Sequence, residues 1–493
     1  MPQHHLTAPR GAELAPKSVF REGRFGRMFR NLPSFVPKET PLTELAAQMI
    51  EPEGGDVLDG PIPAGYTYLG QFIDHDITFD PASSLQRMQD PDALHDFRTP
   101  RLDLDSLYGD GPNNDPYLFD PDVDDGKTSF LIGTNASGEA DLPRNVVPNA
   151  PNGLARGRAL TGDPRNDENV IVGQLHLLFL RFHNKVVEKL KNDGDASEPE
   201  HLFEEAQRQV RWHYQWIVVN DFLRRICGDA VVDDILRNET YVAASGQVEI
   251  PSIALRFFHW RREPFMPVEF SVAAYRFGHS MIRPAYQLND QTPVIPLFSP
   301  GELQEEHQDL RGFRPLASGW TIKWLPLFFG EDPAVQRARK LDTKLADPLK
   351  DLPGVPDPTA LAARNLRRGA ALQLPSGQRV ARAMALEPMN DETLNIASIS
   401  NEFVDSAPLW FYILKEAEVA GGEKLGPVGG RIVAEVLLGL IEGDSFSFPN
   451  VEPKWKPTLG TTPGEFKMPD LVRFVEGEQP APPPAPTPGW PPQ

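Results

Sequence analysis

The longest sustained hydrophobic pattern in the chain begins at Val170. Val170, Ile171, Leu175, Leu178, Phe179, Phe182, Val186 and Leu190 keep close to 3.6-residue spacing, which predicts a helix of more than five turns with one buried stripe. Asp163-Pro164 ahead of the run supplies a start signal. The same period predicts a second helix over about 202–226, carried by Phe203, Ala206, Val210, Ile217, Phe222 and Ile226. Further helices are expected over about 268–284 around YRFGHSMI, over 394–418, over 428–442, and earlier over about 67–80. Between 80 and 165, Pro, Gly, Asn and Asp break every candidate period, as in DGPNNDPYLFDPDVDDG. No strand alternation of comparable length appears, and no repeat at a fixed period. Residues 1–45 read as an extended arm with Phe20, Phe25 and Phe29 as anchors, and QPAPPPAPTPGWPPQ at the other end reads as an extended tail. The fold expected is mainly α: a single large domain over 46–475 with long proline-rich loops and little β. An N-terminal arm (1–45) precedes it and a proline-rich disordered tail (476–493) follows.

Composition adds three constraints. The 493 residues are 40% hydrophobic, enough for a substantial core. Net charge is −20 without a Lys/Arg tract, which disfavours nucleic acid and anionic membrane as partners and leaves a hard cation as a use for the excess carboxylates. Proline, at 51 residues, is about twice its usual share, so helices must be joined by packed, proline-punctuated loops. The one cysteine, Cys227, excludes an intrachain disulfide and reads as a small buried hydrophobe. The N-terminus lacks the apolar core of a secretory signal, and no run reaches the 18 apolar residues of a spanning helix. A soluble protein is expected, cytoplasmic or exported without a cleaved signal peptide.

Within LGQFIDHDITFDPAS, Gln71, Asp74 and His75 fall at i, i+3 and i+4 and share one helix face, with Asp76 on another azimuth. Arg165 and Glu168 stand three apart in GDPRNDEN. His279 follows Arg276 by three residues in YRFGHS and precedes Arg283 by four. Asn365 lies in RNLRRG. Taken singly, each is also what a satisfied core histidine or a helix-surface ion pair produces. Taken together, two imidazoles on separate helices suit the two faces of a planar iron porphyrin, one as axial ligand and one kept off the metal as a base. A ligating imidazole donates its other N–H to an oxygen acceptor, a role open to Asn365. A nearby arginine suits the departing oxygen, and Arg276 or Arg368 suits the propionates.

GQFIDHD, GDPRNDE, YRFGH and NLRRGAALQLP, in this order, resemble successive motifs of the animal-type haem peroxidases of the peroxidase–cyclooxygenase superfamily, in a bacterial-like member. The resemblance covers roughly Leu69 to Pro375. It implies that His75 is the distal base, with Gln71 beside it and Arg165 the distal arginine. His279 is then the proximal iron ligand and Asn365 its hydrogen-bond partner, with Arg276 and Arg368 at the haem margin. Asp74 and Glu168 match the carboxylates that some members esterify to haem b. Asn169 stands where some members carry a methionine bonded to a haem vinyl group, which implies that this link is absent. The resemblance also implies a calcium ion held by Asp76 with Thr99, Arg101 (through its carbonyl), Asp103 and Asp105 of RTPRLDLDSLYG.

The activity implied is oxidation of phenolics, halides or thiocyanate by hydrogen peroxide through an oxoferryl intermediate, as in a response to oxidative stress. Two alternatives are carried beside it: a haem-dependent fatty-acid dioxygenase, and a non-catalytic scaffold. Cyclooxygenase-type enzymes carry a tyrosine three residues before the proximal histidine, where this chain has Arg276 and only the neighbouring Tyr275. His176, His183, His213 and His259 form no spaced set suited to zinc and read as packing residues.

Overall fold

Helices form where the 3.6-residue stripe is continuous, and in some of them a side-chain cap or a proline marks the start. In a computed structural model describing residues 23–52, 59–80, 90, 94–145, 157–194, 198–243, 246–299, 308–331 and 333–477, the organising helices are as follows. They are α1 (Glu39–Gln48), α2 (Gly65–Ile77), α3 (Val170–Asp193), α4 (Pro199–Ile217) and α5 (Leu223–Cys227), then α6 (Leu361–Ala371), α7 (Leu409–Val419), α8 (Pro427–Gly443) and α9 (Met468–Glu476). Asn169 caps α3 by accepting from the Val172 N–H at 2.8 Å, and Gly194 ends it in the left-handed region at φ 71°. Proline at the first helical position opens α4 and α8, where a missing N–H costs nothing. The stripe expected over 202–226 is real, but a π-turn at Val218–Phe222 joins α4 to α5.

The fold is thus mainly helical with little strand. Part of the core sits where α2 packs against the contact between α3 and α4. Phe72 stacks on Phe179 (centroids 4.7 Å apart) and meets Tyr214 edge-on at 6.3 Å, an arrangement favoured by the ring quadrupoles. α2 can begin where it does because Gly65 has no side chain: a Cβ there would lie 2.6 Å from the Phe328 carbonyl. Phe182, on α3, packs against Phe474 of α9 at 5.6 Å. Among the described residues, no helix is long and apolar enough to cross a membrane.

Four expectations are corrected. The helix predicted over 268–284 is two short pieces, Val268–Ser271 and a 3₁₀ turn Ala274–His279, broken at Ala273. The Ser271 carbonyl freed by the break accepts from Arg276 Nε at 3.2 Å, and Tyr275 stacks on Phe270 at 4.6 Å. The helix predicted over 394–418 starts only at Leu409, after Pro408, because Asn395 at φ 54° ends the preceding turn. The arm is not irregular throughout, since α1 begins within it at Glu39. Its strand Gly23–Gly26 pairs with 95–96 and with 266–267, and buried Glu269 accepts from the Met28 and Phe29 N–H groups at 2.9 and 3.1 Å. Phe25 and Phe29 are buried as anticipated; Phe20 and the tail from 478 lie outside the described residues. Lastly, Leu236–Ala243 and Gly246–Ile253 form an antiparallel hairpin in register from Leu236↔Ile253 to Ala243↔Gly246. Periodicity passed over it because its alternation is brief.

Candidate active site

α2 presents Gln71, Asp74 and His75 to a cavity of about 570 Å³, within the roughly 300–1,000 Å³ usual for cofactor sites. The same cavity is walled by Arg165, Glu168 and Asn169 from the segment before α3, by Arg276 and His279 from the 3₁₀ turn, and by Arg368 from α6. Residues from four distant stretches of the sequence therefore line one cavity. Glu168 and Asp74 keep 39% and 34% of their side-chain surface accessible, and that surface opens into the cavity.

On one side stands His75, 4% exposed. Its Nδ1 lies 2.8 Å from Asn166 Oδ1, and its Nε2 is 3.7 Å from Glu168 Oε1. Burial, and then the Arg165 charge, lower its pKa to about 3, so the ring is neutral at ordinary pH. Arg165 is held from three directions. Its Nη2 donates to Asp163 Oδ2 at 2.8 Å and to the carbonyls of Thr78 and His75, and its guanidinium covers the Phe79 ring at 4.7 Å. Its Nη1 is left 3.8 Å from Asp74 Oδ2. Burial alone would raise the Asp163 carboxyl, but Arg165 and Arg98 together hold it well below the usual range. Gln71 is fixed at both ends: Nε2 donates to Glu168 Oε1 and Oε1 accepts from Asn169 Nδ2 at 3.2 Å. Burial pushes Glu168 up to about 7 against the pull of Arg165 and Gln71.

Across the cavity, Asn365 sits between Arg276 and His279. Its Oδ1 accepts from Arg276 Nη1 at 2.9 Å, and its Nδ2 lies 2.8 Å from His279 Nδ1. The contact anticipated from the sequence is present with opposite polarity: the amide nitrogen, not the oxygen, faces the imidazole. Burial, then Arg276, lower His279 to about 3. Burial and the neighbouring Arg368 bring Arg276 down to about 10, the mark of two cations sharing a cavity wall. Arg283 leaves the site for Asp59 and the Arg337 carbonyl. Tyr275 lines the cavity, although helical spacing puts it on another face; the 3₁₀ winding changes its azimuth.

Behind α2, Asp76, Asp103 and Asp105 each offer a carboxylate oxygen within 4.8 Å of one another. Asp76 Oδ2 accepts from the Leu104 N–H at 3.2 Å, whereas Asp76 Oδ1 is buried with no hydrogen-bond partner. Thr99 Oγ1 donates to Asp103 Oδ2 at 2.9 Å, and the Arg101 N–H donates to the Thr99 carbonyl at 2.8 Å. Burial and the other two carboxylates raise Asp76, and burial pushes Asp105 up to about 7. Arg98 joins this loop to the cavity, pairing with Asp105 at 3.4 Å and Asp163 at 2.6 Å. Sequence reasoning missed Arg98, Asn166 and His176. Asn166 and Arg98 lie within or beside motifs read for other residues, and His176 sits in a helical stripe that packing alone explains.

The family model described as animal haem peroxidase matches residues 86–456. That window holds Arg165, His279 and Asn365, while the helix carrying His75 precedes it. A peroxidase-like protein of Margaritifera margaritifera is 28% identical over 342 residues, covering 62% of this chain and 39% of its own. Human thyroid peroxidase is 28% identical over 234 residues, covering 45% and 22%. The chain thus spans well under half the length of these relatives. Among solved structures, peroxidase A from Dictyostelium discoideum superposes with a TM-score of 0.58 at 14% identity, covering 92% of both chains. An Oryza sativa fatty acid alpha-dioxygenase gives 0.55 at 15% identity, covering 89% and 76%.

Proposed function

The chain belongs to the animal haem peroxidase family, and on that premise we propose that it uses hydrogen peroxide to oxidise small donors, phenolics or halides and thiocyanate, at the cavity between His75 and His279. One observation carries the reading: two neutral imidazoles from distant segments, with Arg165 beside one and Asn365 beside the other, wall the same cavity. The donor set fits haem b. His279 supplies a neutral nitrogen, and the mutually repelling Arg276 and Arg368 suit propionates. For Nε2 of His279 to be free for iron, the Asn365 amide, whose Nδ2 faces His279 Nδ1 and whose Oδ1 accepts from Arg276, would have to turn its oxygen toward the Nδ1–H.

Bound haem supplies an iron that polarises peroxide and a macrocycle that takes up its oxidising equivalents. The chain's own residues manage protons and charge. His75 accepts a proton from peroxide and returns it to the departing oxygen, whose negative charge Arg165 steadies. Gln71, locked between Glu168 and Asn169, orients water or an anion beside His75. In the family's fatty-acid oxygenases the residue three before the iron ligand is a radical tyrosine; here it is Arg276, and the Tyr275 ring is stacked on Phe270. The haem-loaded full chain is therefore expected to oxidise a phenolic donor only when peroxide is present and to consume no oxygen with linoleate. Oxygen uptake without peroxide-dependent donor oxidation makes the protein a dioxygenase instead, and a chain that takes up no haem is a scaffold.

A calcium ion bound by Asp76, Thr99, Asp103, Asp105 and the Arg101 carbonyl completes the proposal. The orphaned Asp76 Oδ1 and the mutual repulsion of the carboxylates support it. At a free calcium concentration 100-fold above the dissociation constant, stability should rise by about 2.7 kcal/mol. Differential scanning calorimetry of the full chain with calcium and with chelator reads this, and coincident transitions would remove the cation from the proposal.

A further inference from the structure

We propose that His176, acting through Asn166, fixes which nitrogen of His75 faces the cavity. The inference rests on His75 being the base of the proposed reaction, and it concerns two residues with no contact to the cavity.

The three side chains form a hydrogen-bond chain with a direction. Asn166 Oδ1 lies 2.8 Å from His75 Nδ1. A carbonyl oxygen only accepts, so this nitrogen carries the ring proton and Nε2 presents its lone pair on the side of Glu168 and Arg165. The other end of the amide, Nδ2, lies 3.0 Å from His176 Nδ1. An amide nitrogen only donates, so the His176 ring must receive there with a lone pair. Asn166 and His176 are 0% and 1% exposed, which leaves no solvent to satisfy a misdirected group. Burial lowers His176 to about 3, so it does not gain a proton that would oppose Nδ2.

The backbone supports this arrangement. Asn166 is in the 3₁₀ turn Pro164–Asp167 that Asp163 caps, and its own N–H donates to the Asp163 carbonyl at 3.1 Å. One short turn thus sends Arg165 toward the cavity and Asn166 behind His75. His176 comes from the second turn of α3, which Phe72 and Phe179 clamp to α2. Reversing the chain means turning the amide by 180°. His75 Nδ1 would then have to accept, and the proton would move to Nε2, where it cannot act as the base. His176 would also have to carry its proton on Nδ1 in order to donate to the turned amide, so the tautomers of the two rings are coupled through Asn166. Asn166 and His176 are positioning residues, since neither touches the reacting atoms.

The test compares Asn166→Leu, which removes both hydrogen bonds, with Asn166→Asp, which keeps an acceptor for His75, in the full-length haem-loaded protein. Loss of an outer-shell partner typically costs about 10–100-fold. Asn166→Leu should slow the peroxide reaction and hydrogen cyanide association by that factor, since both reagents must give a proton to the base. Haem retention and the KM for a phenolic donor should stay at wild-type values, and Asn166→Asp should recover most of the rate. ¹⁵N-histidine spectra of the diamagnetic ferrous carbon monoxide form, assigned with His176→Leu and His75→Gln, read the tautomer directly. Nδ1–H at His75 in wild type, lost or mixed in His176→Leu, is the expected result. Nε2–H at His75 in wild type overturns the inference, as does an Asn166→Leu protein that reacts within twofold of wild type. If wild type itself does not react with peroxide, the proposed reaction fails. The nitrogen spectra, recorded on the full chain as purified if no haem is retained, still decide the hydrogen-bond chain.

Discussion

His279→Ala is expected to cost the protein its haem, with affinity falling by at least about 100-fold, because outer-shell changes alone cost up to that much at ligated sites. The imidazole stands at the end of the Ala274–His279 turn, with Asn365 Nδ2 2.8 Å from its Nδ1, and Nε2 becomes available to a metal once the amide presents its oxygen to an Nδ1–H. Removing the ring should not unfold the turn. Tyr275 still stacks on Phe270, Trp410 Nε1 still donates to the Arg276 carbonyl at 3.2 Å, and Arg276 still holds Asn365. The loss is therefore one of ligation. Titration of haem into wild type and variant, followed at the Soret band, measures it, and added imidazole should restore part of the absorption by entering the space vacated. A variant with wild-type affinity and an unchanged spectrum would show that His279 is a packing residue.

The parts of this site that the sequence announces are those carried by regular helix. Gln71, Asp74 and His75 share a face because α2 is unbroken over Gly65–Ile77, and the apolar run from Val170 belongs to one helix buried along that stripe. Where backbone geometry departs from α, spacing misleads. Arg283 at i+4 from His279 belongs to the same face only if 268–284 is one helix; the 3₁₀ turn brings Arg276 and Tyr275 to the cavity and leaves Arg283 on Asp59. The polarity of the Asn365 contact is illegible for a different reason. A carboxamide turns to suit all its neighbours, and Arg276 Nη1 claims the oxygen. Arg98, Asn166 and His176 share that difficulty: each matters through a partner 65 to 91 residues or one helical segment away, a relation that no local period encodes. The carboxylates Asp76, Asp103 and Asp105 are legible as a spacing, but Asp105 also answers to Arg98, which ties the cation loop to Asp163 and hence to Arg165.

His75→Ala should separate chemistry from cofactor binding: haem is retained while the bimolecular reaction with peroxide slows by about 10²–10⁴-fold, the range for loss of a positioned general acid–base group. That corresponds to roughly 3–5 kcal/mol in the barrier. Arg165 is a poorer choice for this test. Its guanidinium also secures the Thr78 and His75 carbonyls and neutralises buried Asp163, so truncating it would disturb the end of α2 and strand a buried charge. His75 makes one side-chain hydrogen bond, to Asn166 Oδ1, and removing it leaves that acceptor unmet at about 1–3 kcal/mol. This is a cost in stability that thermal unfolding registers separately from the rate. Stopped-flow mixing of haem-loaded wild type and His75→Ala with peroxide gives the comparison. Equal rates would mean that peroxide loses its proton elsewhere, with Glu168, raised to about 7 and 3.7 Å from His75 Nε2, the next group to replace. A slow His75→Ala protein with a normal Soret band, set beside a His279→Ala protein with none, assigns the two imidazoles to different tasks, because the two losses then fall on different observables.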